Sequence, residues 1–573
     1  MRVMKNRTTL FLALIAFLFV AHALFYFFVL GNNAVDDAFI SFRYAQNAIR
    51  GYGLFFNPGE RVEGFTNFLW TALMIPLEGA RVDVGRASML LGALFALATM
   101  WLTTRFAHIV GAPRGAGIIA ALLLAADGSF VLWAVSGLET PMFAFLIFAG
   151  ALLYIRENDL DADERSRSVI ASRKAAKQSP AINVEIASSR SPLSLQPLLA
   201  MTDHPRSSAF VRALSAFPFS GIFFALAGMT RPEGLFVFAI TVAHQAAWRI
   251  VMERRLFTFR DLARIFAFGI IFAPYWLGRW WYYKSFLPNS FYAKVSASGP
   301  AAQIDRGWRH LAQFVGVHWG WIITLPAIIS VANAVWRIAQ PDSSATRPTS
   351  LVIRLFWTTY LAAIIVPYAA YIVYVGGDWS VGRFFVPLLA PFYVLFSTGL
   401  VDMWQWLVDM WGKLDEKQAF RAGLVASVVV ALLIFTASSW TGEYGIYVRG
   451  FDAGQATRAR KTMGNWLKAS VPPGTWIAVD AAGQVPYFSE LPAIDLFGIN
   501  DLHIGRLAVP TLGSGTPGHE KMDLGYVLVR APTYVIIYGT LFDSIAEYER
   551  APFEWTRDPE LKKFLTLYQH RVK

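Results

Sequence analysis

From about Thr8 to Leu30 the chain carries no Asp, Glu, Lys or Arg. That length matters, because a helix needs roughly 20 apolar residues to cross the hydrocarbon of a bilayer. Runs of the same kind recur near residues 84–104, 115–135, 140–155, 210–228, 233–248, 264–282, 319–337, 352–374, 384–401 and 421–438, so about eleven spans are expected. A chain so built folds as an α-helical polytopic membrane protein, since only internally satisfied helices or closed barrels lie in lipid. The first run is too long for the apolar part of a signal peptide, roughly 7 to 15 residues, and reads as a retained anchor with a cytoplasmic N-terminus.

Composition agrees, with a mean hydropathy of +0.43 over 573 residues. The absence of cysteine removes disulfides and thiolate metal sites. A net charge of +12 raises nucleic acid as a partner, but the basic residues fall largely in loops between apolar runs, the distribution of the positive-inside rule. No nucleic acid is expected.

Threading the spans from a cytoplasmic start puts the basic loops, Arg156 to Arg212, the Arg254–Arg255 loop and Lys413 to Arg421, on the inner face. The Asp36 loop, Ser136-Gly137-Leu138-Glu139, Arg231-Pro232-Glu233-Gly234, Leu287-Pro288-Asn289-Ser290 and Gly376-Gly377-Asp378-Trp379 all fall outside. A miscount of one span would split that set. Asn158 to Ser208 is rich in Ser, Ala and Arg with little apolar periodicity, and reads as a disordered inner-face insertion. The domains expected are a transmembrane unit at 1–439, with a first external loop at 32–83 and the insertion at 157–209, and an extracytoplasmic α/β domain at 440–573. In the latter, Trp476 to Val479 and Tyr534 to Ile537 are β-rich runs, with a helical pattern over Ala459 to Leu467. Asp480, Asp495, His503, His519 and Glu520 read there as turns and strand ends.

The first loop concentrates the chemistry. Asp36 and Asp37 precede a run, Phe39 to Gly51, whose apolar residues recur at helical spacing, which predicts an amphipathic helix lying along the interface. One aspartate would serve as its N-cap, and Asp37 is the better placed. Asn57-Pro58-Gly59-Glu60 has Pro and Gly at the two centres of a type II turn, expected to carry Glu60, Arg61 and Glu63 back toward the aspartates. Thr66 or Asn67 would cap a further helix.

The stretch DDAFISFRYAQN followed by GYGLFFNPGERVEGFTNFLW resembles the first external loop of the mycobacterial terminal β-arabinofuranosyltransferases and their wider bacterial relatives. VDAAGQVPYFSELPAIDLFGINDLHIGR and GHEKMD resemble the C-terminal domain of the same family. These are polytopic glycosyltransferases of the GT-C class, so the resemblance implies a GT-C-like bundle, an isoprenoid-phosphate sugar as donor and an acidic residue of the first loop as general base. Asp36 or Asp37 takes that role, with Asp36 slightly preferred because Asp37 is the better cap. Several relatives use a divalent cation, which makes Mg²⁺ or Ca²⁺ at Asp36 and Asp37 a further expectation to test.

Such a donor offers an apolar tail, an anionic phosphate and an activated anomeric carbon, and needs cations and a carboxylate in answer. Arg43, Arg61, Arg231, Arg383 and Lys294 lie on the outer face against the charge bias and are the phosphate candidates, the bland alternative being snorkelling at helix ends. Glu63, Glu139, Glu233, Asp378 and Trp379 are candidates to hold the acceptor or support the arginines. Trp70, Tyr282, Tyr283 and Tyr292 could stack on sugars, though interfacial belts account for such aromatics more often. The expected reaction is transfer, with inversion, to a hydroxyl of a glycan, glycolipid or protein at the outer face of the inner membrane. Two rival readings stay open: a lipid-sugar transporter, which calls for ionisable residues at the midplane and paired broken helices, and a non-catalytic envelope or flagellar-motor assembly protein of the same superfamily.

Overall fold

The structure, a computed structural model, describes residues 2–113, 115–158, 217–295, 300–318, 320–339, 349–380, 382–411, 416–440, 451–510 and 512–537. The expected insertion at 157–209 lies, from residue 159 on, outside them.

Eight described helices are long and apolar enough to cross a membrane: Thr9–Val29, Val84–Ala107, Thr140–Asn158, Glu233–Glu253, Phe259–Tyr283, Gly320–Arg337, Leu351–Tyr374 and Arg383–Met410. Ala116–Ala126 and Gly128–Ala134 form a further pair bent by 68°. Eight spans, or nine with the bent pair, therefore replace the eleven expected. The other two expected positions are held by shorter apolar helices, Phe219–Thr230 and Val425–Ser439.

The bend falls at Asp127, which hydropathy passes over as part of one span. Its Oδ1 accepts from the Phe130 N–H at 2.9 Å, and its Oδ2 takes the Tyr393 hydroxyl at 2.6 Å and lies 3.0 Å from His318 Nε2. A carboxylate buried in the bundle is tolerable because both oxygens are engaged, and it caps the second half-helix.

The C-terminal region holds a three-stranded parallel sheet of order β2-β1-β3, from β1 (Ile477–Val479), β2 (Ala493–Asp495) and β3 (Tyr534–Ile536). Ile477 pairs with Ala493 on one side and Tyr534 on the other. The two β-rich runs read from sequence are β1 and β3, and Ala459 to Leu467 falls inside the helix Phe451–Ser470.

This region is docked on the first loop, which overturns one expectation. The helix Asp36–Ile49 does form, but Ala38 to Asn47 are all buried, so it does not lie on the interface with a wet polar face. Its polar side meets the C-terminal region: Arg43 donates to the Glu490 and Leu491 carbonyls at 3.3 and 3.1 Å, and Gln46 to the Tyr487 carbonyl at 3.4 Å. Amphipathicity reports that one face is polar, not whether water or protein covers it. The Asn57–Glu60 turn forms as expected, with Gly59 at φ +89° and the Glu60 N–H donating to the Asn57 carbonyl at 3.1 Å.

Candidate active site

The helix Asp36–Ile49 begins at Asp36 itself, with Val35 as N-cap, so neither aspartate caps it. Both sit in the first turn, where backbone N–H groups favour negative charge. Their environments then separate them. The Asp36 carboxylate accepts from the backbone N–H groups of Gly483 and Gln484 at 3.1 and 2.9 Å, with Arg460 at 3.9 Å. It is a strut between the first loop and the C-terminal region. Burial pushes its carboxyl above the ordinary value, against Arg460 and the two N–H groups.

Asp37 is more open, with 37% of its side chain exposed against 12% for Asp36. Trp379 Nε1 and Arg383 Nη1 both donate to its Oδ2, at 3.0 and 3.3 Å. Its Oδ1 accepts no hydrogen bond from the described residues, so one oxygen is fixed and the other faces outward. Asp378 holds Arg383 in turn, with Nε 2.6 Å from Oδ2 and Nη2 2.9 Å from Oδ1. Burial would raise the Asp378 carboxyl, but Arg383 and Lys294 outweigh it and hold it below the usual range.

Asp37 stands where two cavities meet. The first, about 210 Å³, is lined from all five of the loops that the sequence reading groups on one face, by Asp37, Glu139, Arg231, Pro288, Asp378 and others. The loops that threading puts on one face therefore do converge. Arg231 pairs with Glu139 at 3.3 Å and Glu233 at 3.1 Å, and its guanidinium lies over the Phe384 ring. Lys294 lines both cavities and makes no hydrogen bond or ion pair with the described residues. Burial draws its ammonium below the ordinary value, with Asp378 and Asp37 pulling back. The two arginines are each committed to two carboxylates; the lysine is the cation left to meet an anion.

The second cavity, about 330 Å³, runs from Asp36, Asp37, Lys294 and Trp379 to a far wall from the C-terminal region, including Arg460, Asp480, Asp495 and His519. Sequence reading left these residues as turns and strand ends. Asp480 follows β1 and Asp495 ends β2, and carboxyl ends of neighbouring parallel strands share one sheet edge, where such sheets hold ligands. Half of that signal was available: the β-rich run Trp476 to Val479 is followed directly by Asp480, whereas β2, which Asp495 ends, is not among the runs that read as β-rich.

Three expected site residues lie elsewhere. Arg43 is buried under the C-terminal region and lines neither cavity, because six residues from Asp37 turns the helix by about 240°. Arg61 is exposed and also lines neither. Glu63 is buried against Arg279, with contacts at 2.7 and 2.8 Å, and burial pushes its carboxyl up to about 7 despite that guanidinium. Glu60 pairs with Arg530, so the turn carries its charges away from the aspartates. Asn67 precedes the helix Phe68–Gly79 without capping it; its Nδ2 donates to Glu139 Oε2 at 2.8 Å. Of the aromatics, Trp70 and Tyr283 are buried in the core, and Tyr282 stacks on Phe55.

Asp36 and Asp37 do not fit a divalent cation. Their engaged oxygens face N–H donors, a guanidinium stands 3.3 Å from Asp37, and no group of three His, Asp or Glu placed for a metal occurs among the described residues.

Residues 446–571 match a family model described as a domain of unknown function, DUF8728. No curated protein matches the chain by sequence. Among solved structures, the chain is similar to ArnT from Cupriavidus metallidurans bound to undecaprenyl phosphate, at 13% identity and TM-score 0.47, over 87% of this chain and 88% of that one. Apo ArnT gives 12% and 0.48, over 90% of each. The archaeal oligosaccharyltransferase AglB from Archaeoglobus fulgidus, in complex with an inhibitory peptide and a dolichol-phosphate, gives 12% and 0.44, over 84% of this chain and 64% of that one.

Proposed function

We propose that this chain is a membrane glycosyltransferase that moves a sugar from a polyprenyl-phosphate donor to an acceptor hydroxyl. The observation that carries this reading is Asp37: one carboxylate oxygen is held by Trp379 and Arg383, while the other is open where a cation-bearing cavity meets a second cavity. Asp37 rather than Asp36 is the base in this reading, because the Asp36 carboxylate is spent on the Gly483 and Gln484 N–H groups. The acceptor hydroxyl gives its proton to Asp37 Oδ1 as its oxygen attacks the anomeric carbon. The bond from that carbon to the phosphate oxygen breaks, and polyprenyl phosphate leaves with the electron pair. Lys294 meets the charge growing on the phosphate, while Arg231 and Arg383, held in place by their carboxylates, add a fixed positive field. Attack from the face opposite the leaving group inverts the anomeric centre.

The finer terms rest on the first-loop resemblance and the charge bias of the loops. Arabinofuranose is the sugar that resemblance points to, and the outer face of the inner membrane is the side the positive-inside rule assigns to the site, with 440–573 as an extracytoplasmic domain. The test is mass spectrometry of lipids retained by the full chain in mild detergent, wild type against Asp37→Asn. Enrichment of a polyprenyl-phosphate sugar on the variant supports the reading and names the sugar. Phospholipid alone on both removes the donor assignment.

A further inference from the structure

We infer that Arg306, which lines neither cavity, is a positioning residue of the site: it fixes the stretch that carries Asp378, Trp379 and Arg383, and registers it against the C-terminal segment that packs on Lys294. This rests on the transferase reading and deepens it. The helix Pro300–Val317 presents residues four apart, Arg306, His310 and Phe314, to that stretch. Arg306 Nε donates to the Gly376 carbonyl at 2.9 Å. One turn on, His310 is buried so closely that a Cβ on Gly377 would lie 2.5 Å from its Cγ, and its ring stacks on Phe385, as does the ring of Phe314. Between these two points of support stand Asp378, Trp379 and Arg383, which hold Asp37 directly or through Arg383.

The same guanidinium turns its Nη1 to the C-terminal region, donating to the Gly515 carbonyl at 2.8 Å and to Glu520 Oε2 at 2.9 Å. Glu520 Oε1 accepts from the Gly513 and Gly515 N–H groups, both at 2.7 Å, so one carboxylate shapes the turn and presents it to Arg306. The two side chains are only 11% and 4% exposed, and salt screens such a pair far less than a surface one. Three acceptors at fixed angles call for a planar fork, which a lysine does not offer. The segment anchored in this way carries Pro517, which lines both cavities, and Gly518, where a Cβ would lie 3.1 Å from Lys294 Cε. Arg306 therefore sets the holders of the base on one side and the backing of the phosphate cation on the other. Transfer depends on that spacing far more steeply than phosphate binding does, because the reacting atoms must meet at about 3–3.5 Å and in line.

The test compares Arg306→Gln, Arg306→Lys and Glu520→Gln with wild type and Asp37→Asn, using the full chain. Hydrogen-exchange mass spectrometry, undecaprenyl phosphate binding and mass spectrometry of the lipid retained in mild detergent are the readouts. Glu520→Gln keeps an acceptor for Gly513 and Gly515 and removes only the charge that faces Arg306, so it guards against a variant that fails to fold. For Arg306→Gln and Glu520→Gln the expected result is exchange about tenfold faster in the peptides around Asp378 and around Gly515 together, with the rest of the chain unchanged. Undecaprenyl phosphate should still bind as in wild type, while an intact polyprenyl-phosphate sugar accumulates as it does on Asp37→Asn: binding kept, transfer lost. Arg306→Lys should recover part of both the protection and the donor consumption. Unchanged exchange in either peptide overturns the inference. So does protection lost throughout the chain together with undecaprenyl phosphate binding, which would make Arg306 a merely structural residue, and so does a sugar lipid that accumulates on Asp37→Asn but on neither Arg306→Gln nor Glu520→Gln. Failure of Asp37→Asn itself to retain a sugar lipid strikes the transferase reading instead, and the exchange data still decide whether Arg306 registers the two segments.

Discussion

Arg43 and Lys294 look alike in a sequence, each a cation in an outer loop, and the structure gives them opposite work. Arg43 donates to the Phe56, Glu490 and Leu491 carbonyls and to the Gln46 side chain, while Lys294 stands over the junction of the two cavities. Arg43→Ala is therefore expected to cost on the order of 3 kcal/mol of stability, from carbonyls left buried and unpaired, and to leave undecaprenyl phosphate retention per folded molecule unchanged. Lys294→Ala should do the reverse, keeping the melting temperature and losing retention at least tenfold; lipid quantitation beside thermal unfolding separates the two. Asp495 supplies a pH signature. Burial pushes its carboxyl up to about 6, against the Asn500 and Phe497 donors. The folded state thus holds this proton more tightly than the unfolded chain does. Its stabilising contribution is complete below about pH 4 and is lost as pH rises through 6, a span on the order of 3 kcal/mol. Asp495→Asn, which can still accept from Asn500, should flatten that part of the profile of melting temperature against pH between 4 and 7. Equal slopes in both proteins would show that Asp495 titrates normally.

Among the elements, the helix Asp36–Ile49 decides most. Its existence and apolar periodicity are legible in the sequence; its burial is not, because the segments that cover it, Gln484–Ser489 and the Glu490–Leu491 turn, lie more than 430 residues along the chain. The contact is close. A Cβ on Gly483 would lie 1.9 Å from the Asp36 carbonyl oxygen, with backbone rather than a flexible side chain in the way. Gly483→Ala should therefore push the Gln484–Ser489 helix off the first loop, lowering turnover at least a hundredfold and opening new sites in limited proteolysis. A protease pattern identical to wild type would show that the backbone accommodates the methyl and that the docking is looser than these distances. At the other end of the bundle the Arg254–Arg255 loop reads from sequence as charge bias. In the structure the neighbouring Arg249 and Arg264 are buried against Asp261 and Glu157. Part of that basic density pins helices together, and part, Arg254 and Arg255, is left exposed at that end of the bundle.

Sidedness is a property of the whole molecule, and the absence of cysteine makes it direct to measure. Arg61 is exposed at the end of the bundle that carries the site, and Arg254 follows the helix Glu233–Glu253, which starts in the site wall and runs roughly 30 Å from it. In intact cells a membrane-impermeant maleimide should label Arg61→Cys, whereas Arg254→Cys should react only after permeabilisation. The opposite pattern would turn the site inward and end the outer-face assignment.

What the sequence determined by itself is what depends on local order: apolar runs long enough for lipid, the helix after Asp37, the turn at Gly59, the β-rich runs that became β1 and β3, and loops whose charges put the motifs on one face. What only the tertiary structure decided is partnership. Whether Asp36 or Asp37 keeps an open oxygen depends on backbone N–H groups contributed by Gly483 and Gln484. Whether Arg43 meets a ligand or a carbonyl depends on which face of its helix the C-terminal region covers, and the second cavity exists because Asp480, Asp495 and His519 are brought over the first loop from that same region. Hydrophobic periodicity is a property of neighbours along the chain, while the reactivity of a carboxylate is set by the groups around it in space, and here those groups come from opposite ends of the sequence.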